Sequence, residues 1–168
     1  LYGRGRPSLA GRRTLVNAGP TREPIDPVRY ITNRSSGKMG FAIAGAAAAR
    51  GAQVTLVSGP TNLPVPEGCA LTPVETAEEM YQACMMAAPN ADIMIAAAAV
   101  ADYRPADYSR IKIKKTAGDM SIELERTRDI VAELGRTKGT RVIVGFAAET
   151  DDLLANAQAK LASKNLDI

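Results

Sequence analysis

Histidine is absent from this 168-residue chain. That lack removes Ser-His-Asp and Cys-His catalysis, imidazole proton shuttles and most zinc sites. Cysteine is scarce: Cys69 and Cys84 fall in no CxxC spacing. The pair argues against a disulfide scaffold or a dithiol redox motif and suits a reducing cytosol, so the expected location is cytoplasmic. Long apolar runs are missing too. The longest, Ile93 to Ala101, is far too short to span a bilayer, and no membrane partner is expected. With 46% hydrophobic and 23% charged residues the composition is ordinary for a globular domain, which excludes a disordered or fibrous chain. The length suits one domain with its own core.

The net charge of +3 is local in origin. The first 13 residues carry Arg4, Arg6, Arg12 and Arg13 and no acid; without them 17 basic residues face 18 acidic ones. A nucleic-acid footprint needs Lys and Arg clustered on the fold itself, so no nucleic-acid partner is expected. Residues 1–12 lack the apolar stretch of a signal peptide and read as a linker-like arm. Residues 13–168 read as the domain.

Strand and helix patterns alternate along the domain. Thr14 to Ala18 predicts a strand, and Gly37 to Arg50 an Ala-rich helix capped by Ser35 or Ser36 and stopped by Gly51. Gln53 to Ser58 predicts a strand, with another near Leu71 to Val74. Thr76-Ala-Glu-Glu79 has the form of a capping box opening a helix to about Ala88. Asp92 to Ala97 and Arg141 to Phe146 are continuous apolar strands, as when both faces are covered. Asp151 to Ser163 predicts the last helix. This order implies an α/β fold with a Rossmann-like, doubly wound, mostly parallel sheet. Two stretches break the rhythm. Gly19 to Ser36 is a long polar loop whose prolines make it ordered but not helical. Ile111 to Arg126 alternates with a turn at Gly118-Asp119, predicting a hairpin or flap that packs its Ile/Leu face on the domain or on a second subunit.

Open α/β sheets bind ligands beyond the carboxyl ends of their strands, and unusual residues gather there. Ser35 to Gly40 joins hydroxyls to a helix N-terminus, either a generic anion site or a capped, closely packed helix; it has neither Walker A nor GxGxxG spacing. The alanines Ala96, Ala97 and Ala98 with Ala99 are core packing or a floor for a flat base or sugar. Asp102 is a Mg²⁺ oxygen ligand or a turn residue. Lys112 is a mobile ammonium closing over phosphates or a solvated hairpin residue. Arg29 and Asn33 have solvated-loop and Asx-turn readings beside the functional one. Tyr108 and Lys112 match the Y-x-x-x-K pair of short-chain reductases, but Pro105 and the alternating strand oppose a shared helix face. The second strand also ends at Ser58-Gly59-Pro60, without an acid for an NAD ribose.

The run from Gly19 to Gly40, GPTREPIDPVRYITNRSSGKMG, resembles bacterial phosphopantothenoylcysteine synthetase, the ligase half of a bifunctional coenzyme A biosynthesis protein. Ala98 to Tyr103, Lys112 to Lys115, Gly145 to Thr150 and Lys164 to Asp167 match in the same order. The resemblance implies ligation of 4′-phosphopantothenate to L-cysteine with CTP and Mg²⁺, through an acyl-cytidylate, releasing pyrophosphate and then CMP. It implies that Lys112 is the flap lysine at the reacting phosphate, that Asn33 holds the acyl-cytidylate, and that Arg29 binds or orients phosphopantothenate. It assigns nucleotide contacts to Ala96, Ala97, Ala98, Asp102, Lys112, Arg128, Asp129, Ile130, Val131, Phe146, Lys160 and Lys164, with Asp102 toward the metal. Where Arg128 stands the family often has proline. A homodimer is implied, with FMN confined to a fused decarboxylase half to which the arm would lead, and the family continues beyond Asn165-Leu-Asp-Ile168. The alternatives are a nucleotide-binding fragment without turnover and an NADP-dependent Rossmann reductase.

Overall fold

The computed structural model describes residues 7–115, 118–147 and 152–168. In chain order the elements are β1 (Arg13–Ala18), β2 (Arg22–Pro24), β3 (Tyr30–Thr32), α1 (Lys38–Ala49), β4 (Gln53–Ser58), β5 (Cys69–Pro73), α2 (Ala77–Ala87), β6 (Ile93–Ala96), β7 (Tyr103–Pro105), β8 (Leu124–Arg126), α3 (Ile130–Arg136), β9 (Val142–Gly145) and α4 (Leu153–Ser163). Five of the strands form one parallel sheet in the order β5-β4-β1-β6-β9. The order reverses between β1 and β6, the switch point at which doubly wound sheets bind ligands.

Strand β1 lies at the centre and is buried from Thr14 to Ala18. Successive side chains alternate between faces. Leu15 joins the core formed with Met80, Cys84, Ile130, Leu134 and Ile143, under α2 and α3. Val16 joins the opposite core with Phe41, Ala44 and Ala47 of α1. Helix α1 comes close because it presents glycine to the sheet: a Cβ on Gly40 would lie 2.5 Å from the Ala18 Cβ. The Cys84 thiol is inert, its pKa pushed up to about 12 by burial.

The predicted strands and the α1, α2 and α4 helices are present, although Asp151 lies outside the described residues. The Thr76–Glu79 capping box forms in full, and the buried Glu23 carboxylate also accepts the Ala77 N–H at 2.8 Å. The α1 cap differs from expectation. Gly37, at φ 75°, begins the helix with no side-chain cap, and Ser35 Oγ only accepts the Gly37 N–H at 3.3 Å. The entry needs a left-handed residue packed beneath Thr61 and Gly19, which serine does not supply.

The loop from Gly19 to Ser36 folds into an antiparallel β2–β3 hairpin, with Arg22 opposite Thr32 and Pro24 opposite Tyr30. The flap also forms differently from its alternation. Strand β8 pairs antiparallel with β7, Tyr103 opposite Arg126, and not with residues 111–115, which form no ladder. Across the β7–β8 pair, Arg104 and Glu125 form an ion pair at 2.7 Å. The Ile113 backbone is taken by side chains of the β2–β3 hairpin instead, and Ile111 stays 76% exposed. After α4 the chain returns to β9: the Asp167 N–H donates to the Ile143 carbonyl and the Gly145 N–H to the Ile168 carbonyl, both at 2.9 Å.

Candidate functional site

The segment after β6 is zipped to the segment after β1. Buried Asn17 accepts the Ala98 N–H on its side-chain oxygen at 3.0 Å, and its backbone carbonyl accepts the Ala97 N–H at 3.2 Å. The Gly19 carbonyl accepts from the Ala99 N–H at 2.9 Å, and Thr21 Oγ1 accepts from the Ala101 N–H at 2.9 Å. Small side chains with their backbone groups already paired make a flat, rigid floor.

Asn33, just after β3, reaches this floor. Its side-chain amide donates to the Val100 carbonyl at 2.9 Å and to the Ala99 carbonyl at 3.3 Å. Beside the floor a cleft of about 420 Å³ opens, with Val100 in its wall. Ala98, Asp102, Arg128, Asp129, Ile130, Val131, Lys160 and Lys164 line it together, with Tyr103, Arg126 and Thr127. Most of the nucleotide positions expected from sequence therefore meet in one place. Ala96 sits one step back in β6, paired with Asn17 and Gly145, and Ala97 leads from it to the cleft. Phe146 is tied to the site through Lys160, whose ammonium donates to the Phe146 carbonyl at 2.9 Å. The rest of the Gly145–Thr150 motif, from Ala148, lies outside the described residues.

The cleft floor is built at the start of α3. Asp129 caps that helix by accepting the Ala132 N–H at 3.0 Å. It also pairs with the Lys164 ammonium at 2.8 Å. Burial acts to raise the Asp129 pKa, but Lys164 and the backbone donors outweigh it and hold the carboxylate below its usual range. Arg128 lies over the Tyr81 ring at 4.8 Å and 3.4 Å from Glu78, so its charge is shared with α2. Asp102 is exposed, and its carbonyl accepts the Thr127 N–H at 3.0 Å. Among the described residues no three acids, histidines or cysteines cluster as a metal cage. One exposed carboxylate still fits Mg²⁺ that arrives on nucleotide phosphates, since that ion keeps much of its water.

Arg29 and Lys112 do not line the cleft. Arg29 instead binds buried Asp26 through Nε at 3.0 Å and donates to the Ile113 carbonyl at 3.0 Å, beside Lys112. Asp26, which sequence reasoning passed over, also accepts the Ile113 N–H at 3.1 Å. The Arg29 guanidinium, with backbone donors, holds its carboxyl well below the usual carboxylate range. Its place in Asp26-Pro-Val-Arg29, accepting the Val28 and Arg29 N–H groups, was the available signal, because aspartate opens such turns. Tyr108 and Lys112 lie outside any helix, so they do not form the reductase pair.

A larger concavity of about 640 Å³ lies at the opposite end of the sheet, where the strands begin. Three of its four cations are committed: Arg13 to Asp92, Lys138 to Asp167, and Arg141 to the Lys138 and Ala88 carbonyls. It lies away from the carboxyl ends where α/β sheets bind ligands.

The chain is 53% identical over 163 residues to the coenzyme A biosynthesis bifunctional protein CoaBC of Vibrio parahaemolyticus, covering 95% of this chain and 41% of the relative. It is 50% identical over 161 residues to CoaBC of Bacillus subtilis, covering 95% and 40%. It thus spans about two fifths of the length of these curated relatives. The crystal structure of the C-terminal domain of a CoaBC protein matches the fold with a TM-score of 0.84 at 48% identity, over 95% of this chain and 76% of that one. The model of the DNA/pantothenate metabolism flavoprotein C-terminal domain matches residues 9–168, in agreement with the resemblance carried by the motifs, and the chain belongs to that family.

Proposed function

We propose that this domain joins 4′-phosphopantothenate to L-cysteine at the expense of CTP, in coenzyme A biosynthesis. The observation that carries the reading is the cleft at the carboxyl end of β6, which gathers Ala98, Asp102, Asp129, Lys160 and Lys164 beside an alanine floor. A carboxylate is a poor electrophile, and conversion to an acyl phosphate ester makes it a good one. In the first step a phosphopantothenate carboxylate oxygen bonds to the α-phosphorus of CTP. The α–β bridging P–O bond breaks and pyrophosphate leaves. In the second step the cysteine amine attacks the acyl carbon, loses its proton, and CMP departs with the electrons of the acyl C–O bond. No protein nucleophile is needed, which suits a chain without histidine. Positioning and charge stabilisation carry the rate.

In this reading Lys160 and Lys164 face the nucleotide, and the Ala96–Ala98 floor admits its flat parts. Lys112 supplies positive charge at the reacting phosphate, and Asn33 holds the acyl-cytidylate. Arg29 orients the phosphopantothenate side of the site. Asp102 holds Mg²⁺, which neutralises phosphate charge when bound. The relatives are bifunctional by name. In the same reading FMN belongs to a fused decarboxylase half, and the synthetase works as a cytoplasmic homodimer. The test is pyrophosphate release from Mg-CTP with phosphopantothenate present and cysteine omitted, with ATP in parallel. Release that requires both CTP and phosphopantothenate supports the reading. CTP binding without release would favour a nucleotide-binding domain without turnover.

A further inference from the structure

We propose that Asp26, gripped by Arg29 against Ile113, is a positioning latch that holds the Lys112 flap in place; its catalytic meaning rests on the ligase reading above. Asp26 is 2% exposed, yet it stands in the five-residue turn between β2 and β3, where aspartate is normally solvated. Its two oxygens are fully used. Oδ1 accepts the Val28 and Arg29 N–H groups, both at 2.9 Å. Oδ2 accepts from Arg29 Nε at 3.0 Å and from the Ile113 N–H at 3.1 Å. Arg29 completes the circuit by donating to the Ile113 carbonyl at 3.0 Å. Both backbone groups of Ile113 are therefore paired with one carboxylate–guanidinium unit, as a neighbouring strand would pair them.

The start of the flap has one further tie: the Ser109 N–H donates to the Ile25 carbonyl at 3.0 Å, and the Ser109 hydroxyl to the Ile111 carbonyl at 2.7 Å. Beyond Ile111, among the described residues, the segment to Lys115 is bonded to the body of the domain through Ile113, and it forms no ladder. Ile113 is half-buried while Lys112 and Lys114 are exposed on either side of it. Fixing Ile113 fixes the height and direction from which the Lys112 ammonium departs. The guanidinium of Arg29 thereby acts through the flap, and Asp26, which does not line the cleft, becomes a determinant of the reaction.

The test compares the intact protein with Asp26→Asn and Arg29→Lys. Asparagine offers N–H groups where Ile113 and Arg29 need an acceptor. Lysine keeps the charge but not the fork, and it serves if the buried Asp26 variant fails to fold. Limited trypsinolysis mapped by mass spectrometry reads the latch without reference to activity. Cleavage after Arg110, Lys112, Lys114 and Lys115 should accelerate about tenfold while the rest of the chain resists as before. The kcat for phosphopantothenoylcysteine should fall about tenfold with CTP affinity unchanged. Wild-type cleavage rates in both variants, or acceleration spread over the whole chain, overturn the latch. Local acceleration in a protein whose wild type makes no product upholds the latch and overturns the ligase reading.

Discussion

Lys164 and Asp129 meet at 2.8 Å in the cleft, so the domain carries its own counter-ion where a nucleotide's phosphates are expected. An arriving anion shares or displaces that carboxylate. Lys164→Met should weaken CTP binding about tenfold, because it removes a charge-assisted donor and leaves Asp129 as bare repulsion. Asp129→Asn should cost little or improve affinity. A double-mutant cycle read by calorimetry should show coupling between the two, and strict additivity would mean that the pair does not face the nucleotide.

Asn33 spans from the β2–β3 hairpin to the carbonyls of Ala99 and Val100. Asn33→Asp would set a carboxylate against two carbonyl oxygens. Product formation should fall about a hundredfold or more, with CTP affinity changed little. Lys112→Ala should show the same split, since Lys112 does not line the cleft. Loss of CTP binding in both variants would overturn the assigned roles.

The pH dependence of stability should be one-sided. Asp26, Asp92, Asp129, Glu133 and Asp167 all have native pKa values held below their ordinary ones, chiefly by cationic partners. Between native and ordinary values the unfolded chain binds more protons, so stability rises with pH there. It is fully present above about pH 4 and is lost as pH falls through the native values. With no histidine, unfolding free energy should stay flat from about pH 8 to pH 5. Urea titrations across this range decide the matter, and a marked slope between pH 5 and 8 would contradict it.

Gly40→Ala should be costly although alanine favours helices. The added Cβ would lie 2.5 Å from the Ala18 Cβ and 3.1 Å from its Cα, in the packed face between α1 and β1. A loss of about 1–3 kcal/mol is expected from urea unfolding. Gly118→Ala, with no atom within 4 Å of the new Cβ, is the matched control.

What could be read in the residues was the part governed by local pattern. Apolar runs such as Gln53 to Ser58 and the Thr76–Glu79 box became the expected elements because hydrophobic burial and capping act over a few residues. The cleft was legible through motif likeness: Asp129, Lys160 and Lys164 are far apart in sequence, and no spacing rule joins them. The flap misled because alternation at Ile111 and Ile113 implies a strand partner, and here one isoleucine is solvent-exposed while the other is bonded by side chains. The start of α1 misled because serines before a helix ordinarily cap it, whereas a tertiary contact with Thr61 demanded a positive φ at Gly37. Helix α3 was passed over because its seven residues are too few for a periodic signal, although Asp129 before Ile130-Val131 marks its cap.

Among the described residues, β9 is laddered to β6 on one side, and its other side faces the segment after α4. An uncovered outer strand offers a row of amides and carbonyls to any other chain, the usual template for intermolecular strand addition and aggregation. Asp167 and Ile168 answer much of that row. The Ile143 N–H is held by the Asp167 carboxylate at 2.8 Å, the Ile143 carbonyl by the Asp167 N–H, and the Gly145 N–H by the Ile168 carbonyl. The Lys138 ammonium, bound to the same carboxylate, adds charge at the rim. The return of the chain after α4 thus carries the ladder past β9: Asp167 and Ile168 take the places that the first residues of a sixth parallel strand would take.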